Sequence, residues 1–290
     1  MILLPAARFR SALALLSVLV LAACGGGAGP AAMAPSGPPP EVVARYQAVQ
    51  DGNYLIPAVD PGYLTGGNAR QTVPYNGPDA PGTIVVDPHA RVLYFVEKGG
   101  TATRYGIAVG REGRGFTGSA VIGRKAEWPG WTPTANMVRR DPEVYGPYAG
   151  GLPGGLDNPL GARALYLYRG GRDTYYRIHG TNNASTIGRA TSAGCIRLFN
   201  QDILDLYERV PLGTPVKVRT REESVALEGE MVEGPNGLMV RMESLPLEVQ
   251  DQIRAGMTPW PPFVAQSGIS PENSLGSADA LAAQGIVAAN

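Results

Sequence analysis

Short runs of β-branched and aromatic residues, separated by turns rich in glycine and proline, constrain the fold of this chain most strongly. Residues 83–87 and 91–97 are two such runs, and the Pro-His-Ala segment between them predicts a β-hairpin. Further strands are predicted at 101–109, at 164–168 paired with 175–179, and at 215–219. Many short strands without a regular alternation of strand and helix predict a mainly β, sandwich-like domain.

Helices are predicted to be few and short. The clearest is 201–210, where apolar residues such as Ile203 fall on one face and Asn200 is suited to cap the first turn. Residues 41–53 and 244–255 carry shorter helical patterns. The main domain is therefore predicted to hold one or two short helices on a β framework.

A long segment, residues 113–160, is rich in glycine and proline and is predicted to be a lid-like loop. Such a length is unusual for a plain connection and is typical of lids and binding loops. Trp128 and Trp131 lie within it. They either line a substrate cleft or pin the loop to the domain, and the sequence leaves both possibilities open.

The first 24 residues have the pattern of an export signal. Arg8 and Arg10 precede an uncharged apolar run, which is too short for a membrane span of roughly 20 residues. The ending Leu-Ala-Ala-Cys24 resembles a bacterial lipobox, which implies an acylated Cys24 and a membrane anchor. We expect an exported, periplasmic, lipid-anchored protein, and Gly25 favours the outer membrane. The alternative is a simple signal peptide with an incidental cysteine.

The chain is predicted to divide into four parts. Residues 1–24 form the lipoprotein signal peptide, 25–81 a tether and N-terminal arm, 82–219 the main domain, and 220–290 a partly disordered extension. The 25 lysine and arginine residues balance the 25 acidic residues. Because no basic field exists, nucleic acid is excluded as a partner class.

Cysteine and histidine usage points to a thiol nucleophile. If Cys24 carries lipid, Cys195 is the single remaining thiol and has no disulfide partner. His179 precedes Cys195 by 195 − 179 = 16 residues. A thiol with a pKa of about 8.5 needs a base near neutral pH, and an imidazole is suited to that role. Gly194 permits a tight turn whose backbone amides can point at an oxyanion.

Two other interpretations of these residues were weighed. Cys195 and His179 can be a buried core thiol and a satisfied histidine that never meet. A structural zinc site needs four ligands, whereas His89, His179 and Cys195 are the only histidine and cysteine candidates. We therefore expect no metal.

The sequence around this pair resembles the signature of a known family. His179-Gly-Thr-Asn, followed by Ser192-x-Gly-Cys-Ile-Arg-Leu-x-Asn200, is similar to the signature of the L,D-transpeptidase (YkuD-type) catalytic domain. The resemblance runs from about residue 82 to residue 216. The chain departs from the family at Ala193, where a histidine is usual, and this departure puts fine-tuning of the site in doubt more than catalysis.

The resemblance implies roles for particular residues. Cys195 would be the nucleophile and His179 the base, with the imidazole oriented by the carbonyl of Gly180. The oxyanion hole would be formed by the backbone amides of Ala193, Gly194 and Cys195. Substrate contacts or shaping of the loop would come from Ser192, Thr181, Arg197 and Asn200.

The implied reaction is acyl transfer without a metal or cofactor. The thiol would attack the third, diaminopimelate-type residue of a peptidoglycan tetrapeptide stem and release D-Ala. The acyl group would then pass to an amine of a neighbouring stem or to a protein lysine. Two alternatives remain open, namely an L,D-carboxypeptidase that uses water as acceptor and a catalytically degenerate peptidoglycan-binding protein.

Overall fold

The computed structural model describes residues 37–110, 117–140, 142–192 and 195–261, and for residues 140, 191 and 192 the backbone only. The export signal with Cys24, the first part of the tether, and Ala193 and Gly194 of the expected oxyanion hole lie outside the described residues. So does the final segment after residue 261.

The described residues form fifteen strands and six short α-helices. The strands are β1 (Val49–Asp51), β2 (Tyr54–Ile56), β3 (Gln71–Pro74), β4 (Ile84–Asp87), β5 (Val92–Val96), β6 (Thr101–Gly106), β7 (Val109–Gly110), β8 (Gly118–Glu127), β9 (Arg163–Arg169), β10 (Arg172–His179), β11 (Ala190–Ser192), β12 (Ile196–Arg197), β13 (Pro215–Val218), β14 (Met231–Glu233) and β15 (Met239–Arg241). The helices are α1 (Pro40–Arg45), α2 (Ala135–Arg140), α3 (Pro142–Tyr145), α4 (Asn200–Arg209), α5 (Arg221–Glu228) and α6 (Leu247–Arg254).

One mixed sheet of nine strands dominates the fold. Its order is β12-β10-β9-β8-β13-β4-β5-β6-β3, and β10–β12 and β13–β4 are its parallel pairs. The predicted hairpins are present as β4–β5 and β9–β10. The mainly β architecture predicted from the sequence is confirmed.

The sheet folds round on itself. The chain that leaves β6 crosses to the opposite edge, where Ala108 and Arg197 exchange two backbone hydrogen bonds of 2.9 Å. Inward-facing residues of eight sheet strands meet there in one core, and α4 contributes Ile203 and Leu206 to it. Burying each such aliphatic side chain stabilises the fold by roughly 1.5–3 kcal/mol.

Residues 118–127 correct the prediction of one continuous lid-like loop. They form β8, which lies between β9 and β13 in the sheet. Only Ala120 and Ile122 of this strand are buried, so its apolar pattern is short. Gly123 also weakens the strand pattern in the sequence. A glycine is required there because a Cβ would lie 2.4 Å from the Tyr168 ring. A glycine inside a strand often marks such a close approach.

Asn200 does not cap α4 as predicted. Phe199 occupies the N-cap position and no side chain caps the helix. The amide of Asn200 is instead bound to neighbouring loops, as described below.

Both flanks of the main domain are more ordered than the sequence suggested. The helix predicted at 41–53 ends at Arg45, and the hairpin β1–β2 follows it. The strand β3 extends the main sheet beside β6. After β13, a capping box between Thr220 and Glu223 begins α5, a signal that the sequence analysis overlooked. No helix in the described part of the chain is long and apolar enough to span a bilayer.

Candidate active site

His179 is the last residue of β10 and is almost completely buried, with 3% of its surface exposed. Its Nδ1 lies 2.7 Å from the carbonyl oxygen of Gly180, as the resemblance implied. Because a carbonyl oxygen only accepts hydrogen bonds, Nδ1 carries the hydrogen in the neutral ring and Nε2 is the nitrogen with the lone pair. The imidazole is therefore oriented to accept a proton at Nε2.

The parallel pair β10–β12 brings Cys195 next to this histidine. In its register Ile178 lies opposite Ile196 and His179 opposite Arg197. Just before this pair in both segments lie Arg177 and Cys195, and the backbone N–H of Arg177 donates a hydrogen bond to the Cys195 thiol. Cys195 and His179 are thus diagonal neighbours, with Cα atoms roughly 8 Å apart on standard strand spacings. Their side chains can meet across that separation.

Strand alternation places three polar side chains of β10 and β12 on one face. Ile178 and Ile196 belong to the main apolar cluster of the core. Successive side chains of a strand point to opposite faces. The side chains of Arg177, His179 and Arg197 therefore share the face away from the core, and the half-buried Cys195 directly precedes β12.

Burial holds both members of the pair in their neutral forms. Burial, assisted by the charge of Arg197, lowers the pKa of His179 to about 3. Burial also raises the pKa of the Cys195 thiol, although the Arg177 amide and the charges of Arg197 and Arg177 oppose this. At neutral pH the arrangement is a thiol beside a neutral imidazole. It can perform a proton transfer that accompanies nucleophilic attack.

Arg197 is a half-buried cation near the thiol. Desolvation by burial lowers the pKa of its guanidinium, and the nearby Cys195 and Tyr145 act in the opposite direction. Its Nε has no hydrogen-bond partner, and none of the described carboxylates forms an ion pair with it. A half-buried cation without a carboxylate partner among the described residues is suited to bind an incoming carboxylate.

Asn200 ties together the loops around His179. Its Oδ1 accepts hydrogen bonds from the amides of Ala162 (3.0 Å) and Thr181 (3.2 Å), and its Nδ2 donates to the Thr181 carbonyl at 2.8 Å. A Cβ at Gly161 would lie 2.3 Å from that Oδ1, so only glycine fits there. The Asn200 side chain therefore shapes the site, and the backbone of Thr181 is committed to this contact.

Two features near the site were missed or left open by sequence reasoning. Arg177 was overlooked, although its spacing of two residues from His179 in a strand could have identified it. Trp128 pins its loop: its Nε1 donates to Asp51 at 2.8 Å, and its ring lies 4.2 Å from that of Tyr54. Trp131 packs near Tyr145, with ring centroids 6.3 Å apart.

The described residues contain no group of three or more histidine, cysteine, aspartate or glutamate side chains that could hold a metal ion.

Residues 81–218 match the sequence profile of YkuD, the L,D-transpeptidase catalytic domain. The ErfK/SrfK protein of Escherichia coli K12, named a probable L,D-transpeptidase, is 37% identical over 139 residues, which are 47% of this chain and 43% of that protein. The YkuD protein of Bacillus licheniformis is 33% identical over 165 residues, which are 56% of this chain and 81% of that protein.

A Brucella melitensis crystal structure, described as that of a probable carnitine operon oxidoreductase, is 52% identical and covers 52% of this chain and 94% of that one, with a TM-score of 0.38. That TM-score is too low for the superposition to carry an argument. The chain spans less than half the length of the E. coli relative but most of the length of the B. licheniformis protein. The B. licheniformis match covers most of that protein, and the family profile matches the segment that contains His179 and Cys195. The chain therefore belongs to the YkuD-type L,D-transpeptidase family.

Proposed function

We propose that this protein is a peptidoglycan L,D-transpeptidase in which Cys195 is the nucleophile and His179 the general base. The observation that supports the proposal is the β10–β12 register, in which His179 pairs with Arg197, two residues after Cys195, together with the 2.7 Å contact between Nδ1 of His179 and the Gly180 carbonyl oxygen. Family membership supplies the substrate class, namely the tetrapeptide stem.

The first half of the reaction forms a thioester. As Sγ of Cys195 attacks the carbonyl carbon of the third stem residue, Nε2 of His179 takes the thiol proton. The oxyanion is met by backbone amides at Cys195 and, by family resemblance, at Ala193 and Gly194. The intermediate then collapses, the C–N bond breaks, and the imidazolium returns its proton to the departing amine of D-Ala.

The second half transfers the acyl group. An acceptor amine attacks the thioester carbonyl while His179 takes the amine's proton, and the thiolate leaves and is reprotonated. The acceptor is an amine of another stem or a protein lysine. Arg197 binds a stem carboxylate during both halves, because it is a half-buried cation without a carboxylate partner among the described residues. Asn200 and Thr181 hold the loop that follows His179.

The leader supports the cellular location that we propose. Arg8, Arg10, the apolar run and the lipobox-like ending at Cys24 suit export and lipid anchoring at the periplasmic face of the outer membrane. In that location the enzyme meets peptidoglycan stems.

The test is to incubate the protein with tetrapeptide stems and measure released D-Ala, together with the intact mass of the protein after exposure to a carbapenem. We expect one covalent adduct that disappears in Cys195→Ser and forms far more slowly in His179→Ala. His89→Ala is the matched control, since His89 lies in the β4–β5 turn and should leave the rate unchanged.

The products separate the alternatives. Cross-linked dimers or an amide with an added amine identify transpeptidation, whereas D-Ala release with free tripeptide alone identifies an L,D-carboxypeptidase. A folded protein that binds stems without an adduct or D-Ala release would overturn the enzyme proposal in favour of a degenerate peptidoglycan-binding protein.

A further inference from the structure

A cavity of about 290 Å³ lies over β3, β5 and β6, at the opposite end of the sheet order from β10 and β12. Most of its wall comes from residues between Gln71 and Gly77 and between Arg219 and Arg241, on either side of the segment that matches the family. The family segment contributes the remainder of the wall, namely Ala90, Tyr94 and Arg104. Two flanks that the family match does not explain therefore converge on one cavity.

The acidic group that lines this cavity is already paired with an arginine. Glu228, which lines it, accepts hydrogen bonds from Arg219 at 2.7 Å and from the Tyr94 hydroxyl at 2.8 Å. Arg219 also pairs with the buried Asp87 at 3.2 Å. Arg219 is thus shared between two carboxylates and has no charge left for a further anion, although its Nε remains buried without a hydrogen-bond partner. The remaining charge of the wall is set by the other arginines.

Arg104 and Arg241 give the cavity an excess of positive charge. Arg104 donates to the carbonyl oxygen of Gly67 at 2.9 Å and has no ion pair with any described carboxylate. Arg241 pairs only with Glu243 at 3.4 Å, where both side chains are more than half exposed and the pair is weak. A cavity with these two arginines in its wall favours an anionic ligand.

The cavity wall also contains apolar side chains. Val73, Ala90, Leu227 and Met231 line it and offer contacts for small aliphatic groups. The volume is near the lower limit of small-molecule sites, about 300 Å³, which suits a ligand the size of a dipeptide.

We propose that this cavity binds the free carboxylate end of a short peptide with small side chains. Arg104 and Arg241 contact the carboxylate, and the apolar residues of the wall contact the methyl groups of the peptide. The site lies outside the acyl-transfer machinery, and it holds whether or not Cys195 is a nucleophile.

The test uses the full chain, purified in detergent and labelled with ¹³C at its methionine methyl groups. Met231 lines the cavity, whereas the exposed Met257 does not, so the two signals separate binding here from effects elsewhere. The probe is N-acetyl-Ala-Ala, compared with its carboxamide and with inorganic phosphate. Met231→Leu assigns the reporting signal.

We expect a saturable shift of the Met231 signal with N-acetyl-Ala-Ala and at least tenfold weaker binding in Arg104→Gln. Arg241→Gln, at an exposed position that cannot unfold the chain, should also weaken binding, whereas Arg45→Gln on α1 is the matched control and should not. Equal binding of the carboxamide, an equal response to phosphate, no saturable shift, or unchanged affinity in both cavity variants would overturn the assignment.

Discussion

Residue-scale chemistry at the site depends on the neutral forms of His179 and Cys195. A catalytic thiol can also be stored as a thiolate beside an imidazolium, but burial disfavours both ions here. Arg197 adds to the effect on His179 and assists ionisation of the thiol. The thiol thus becomes reactive only when its proton has an acceptor at Nε2.

This predicts an unusual pH profile for acylation. Since the pKa of His179 is lowered to about 3, the imidazole stays neutral far below its ordinary value of 6.5. We expect kcat/KM for acylation to stay within about twofold between pH 5 and pH 7.5, because each pKa unit corresponds to a tenfold change in protonation. The measurement is the rate of adduct formation by mass. An acid limb centred near pH 6.5 would contradict the proposed environment of the base.

Arg197 predicts dependence on a substrate carboxylate. Replacing it by glutamine, in Arg197→Gln, removes a charged hydrogen bond of about 1.5–3 kcal/mol, so kcat/KM should fall roughly 10- to 100-fold, mainly through KM. The matched control is a stem with that carboxylate amidated. Amidation should weaken the wild type and have little further effect on the variant. Equal losses from amidation in both proteins would exclude this contact.

At the scale of secondary-structure elements, sequence patterns predicted what local periodicity determines. Hairpins β4–β5 and β9–β10 and the apolar face of α4 were predicted because their patterns lie within a few residues. The strand β8 was missed because its internal glycine, Gly123, is explained only by the Tyr168 ring from the next strand. Asn200 was misassigned as a cap because its partners at Ala162 and Thr181 are remote in sequence.

The same distinction between local and tertiary information applies to the candidate site. The sequence predicted the pair His179 and Cys195 because their residue types carry the chemistry. The burial that shifts their pKa values, and the lack of a carboxylate partner for Arg197 among the described residues, depend on strands brought together by tertiary structure. These properties have no local sequence signal.

The hairpin β1–β2 is attached to the sheet near the site by one acidic residue. Asp51 accepts hydrogen bonds from both terminal nitrogens of Arg163, at 2.6 and 2.8 Å, and from Trp128. Arg163, through this bond, lowers the pKa of Asp51. The element thus depends on a polar contact that is largely shielded from water.

Asp51→Ala should therefore destabilise the protein by about 2–3 kcal/mol, because it leaves Arg163 buried beside a weak partner. Urea unfolding of the two proteins measures the difference. The matched control is Asp251→Ala, which removes an exposed ion pair with Arg254 in α6 and should cost less than about 1 kcal/mol. Similar losses in both variants would show that the Asp51 contact has no special role.

At the scale of the whole molecule, the N-terminal arm and α4 meet around a second buried ionisable group. Asp202 is completely buried, and the Tyr46 hydroxyl of the arm lies 2.9 Å from its carboxylate. Burial raises the pKa of Asp202 to about 7, although Arg70 and the Tyr46 hydrogen bond oppose this. The fold thus contains His179, which resists protonation, and Asp202, which resists ionisation.

These two groups affect stability in opposite directions. For His179 the folded pKa is below the unfolded value of 6.5, so the unfolded chain binds the proton first and stability falls as the pH drops below 6.5. For Asp202 the folded pKa is above the unfolded value of 3.8, so stability falls as the pH rises from 3.8 towards 7. Between pH 4 and 6.5 the two effects oppose each other.

Removing either group should therefore reveal the pH dependence of stability that the other group causes. The free energy of unfolding of His179→Gln should fall as the pH rises from 4 to 6.5, relative to that of the double variant His179→Gln/Asp202→Asn, by up to about 1.4 kcal/mol per pH unit. Asp202→Asn keeps the Tyr46 hydrogen bond and should show the reverse slope. Urea unfolding at several pH values measures both. Slopes of the same sign in the two single variants would contradict the opposition between these buried groups, because only opposite pKa shifts produce opposite proton uptake on unfolding.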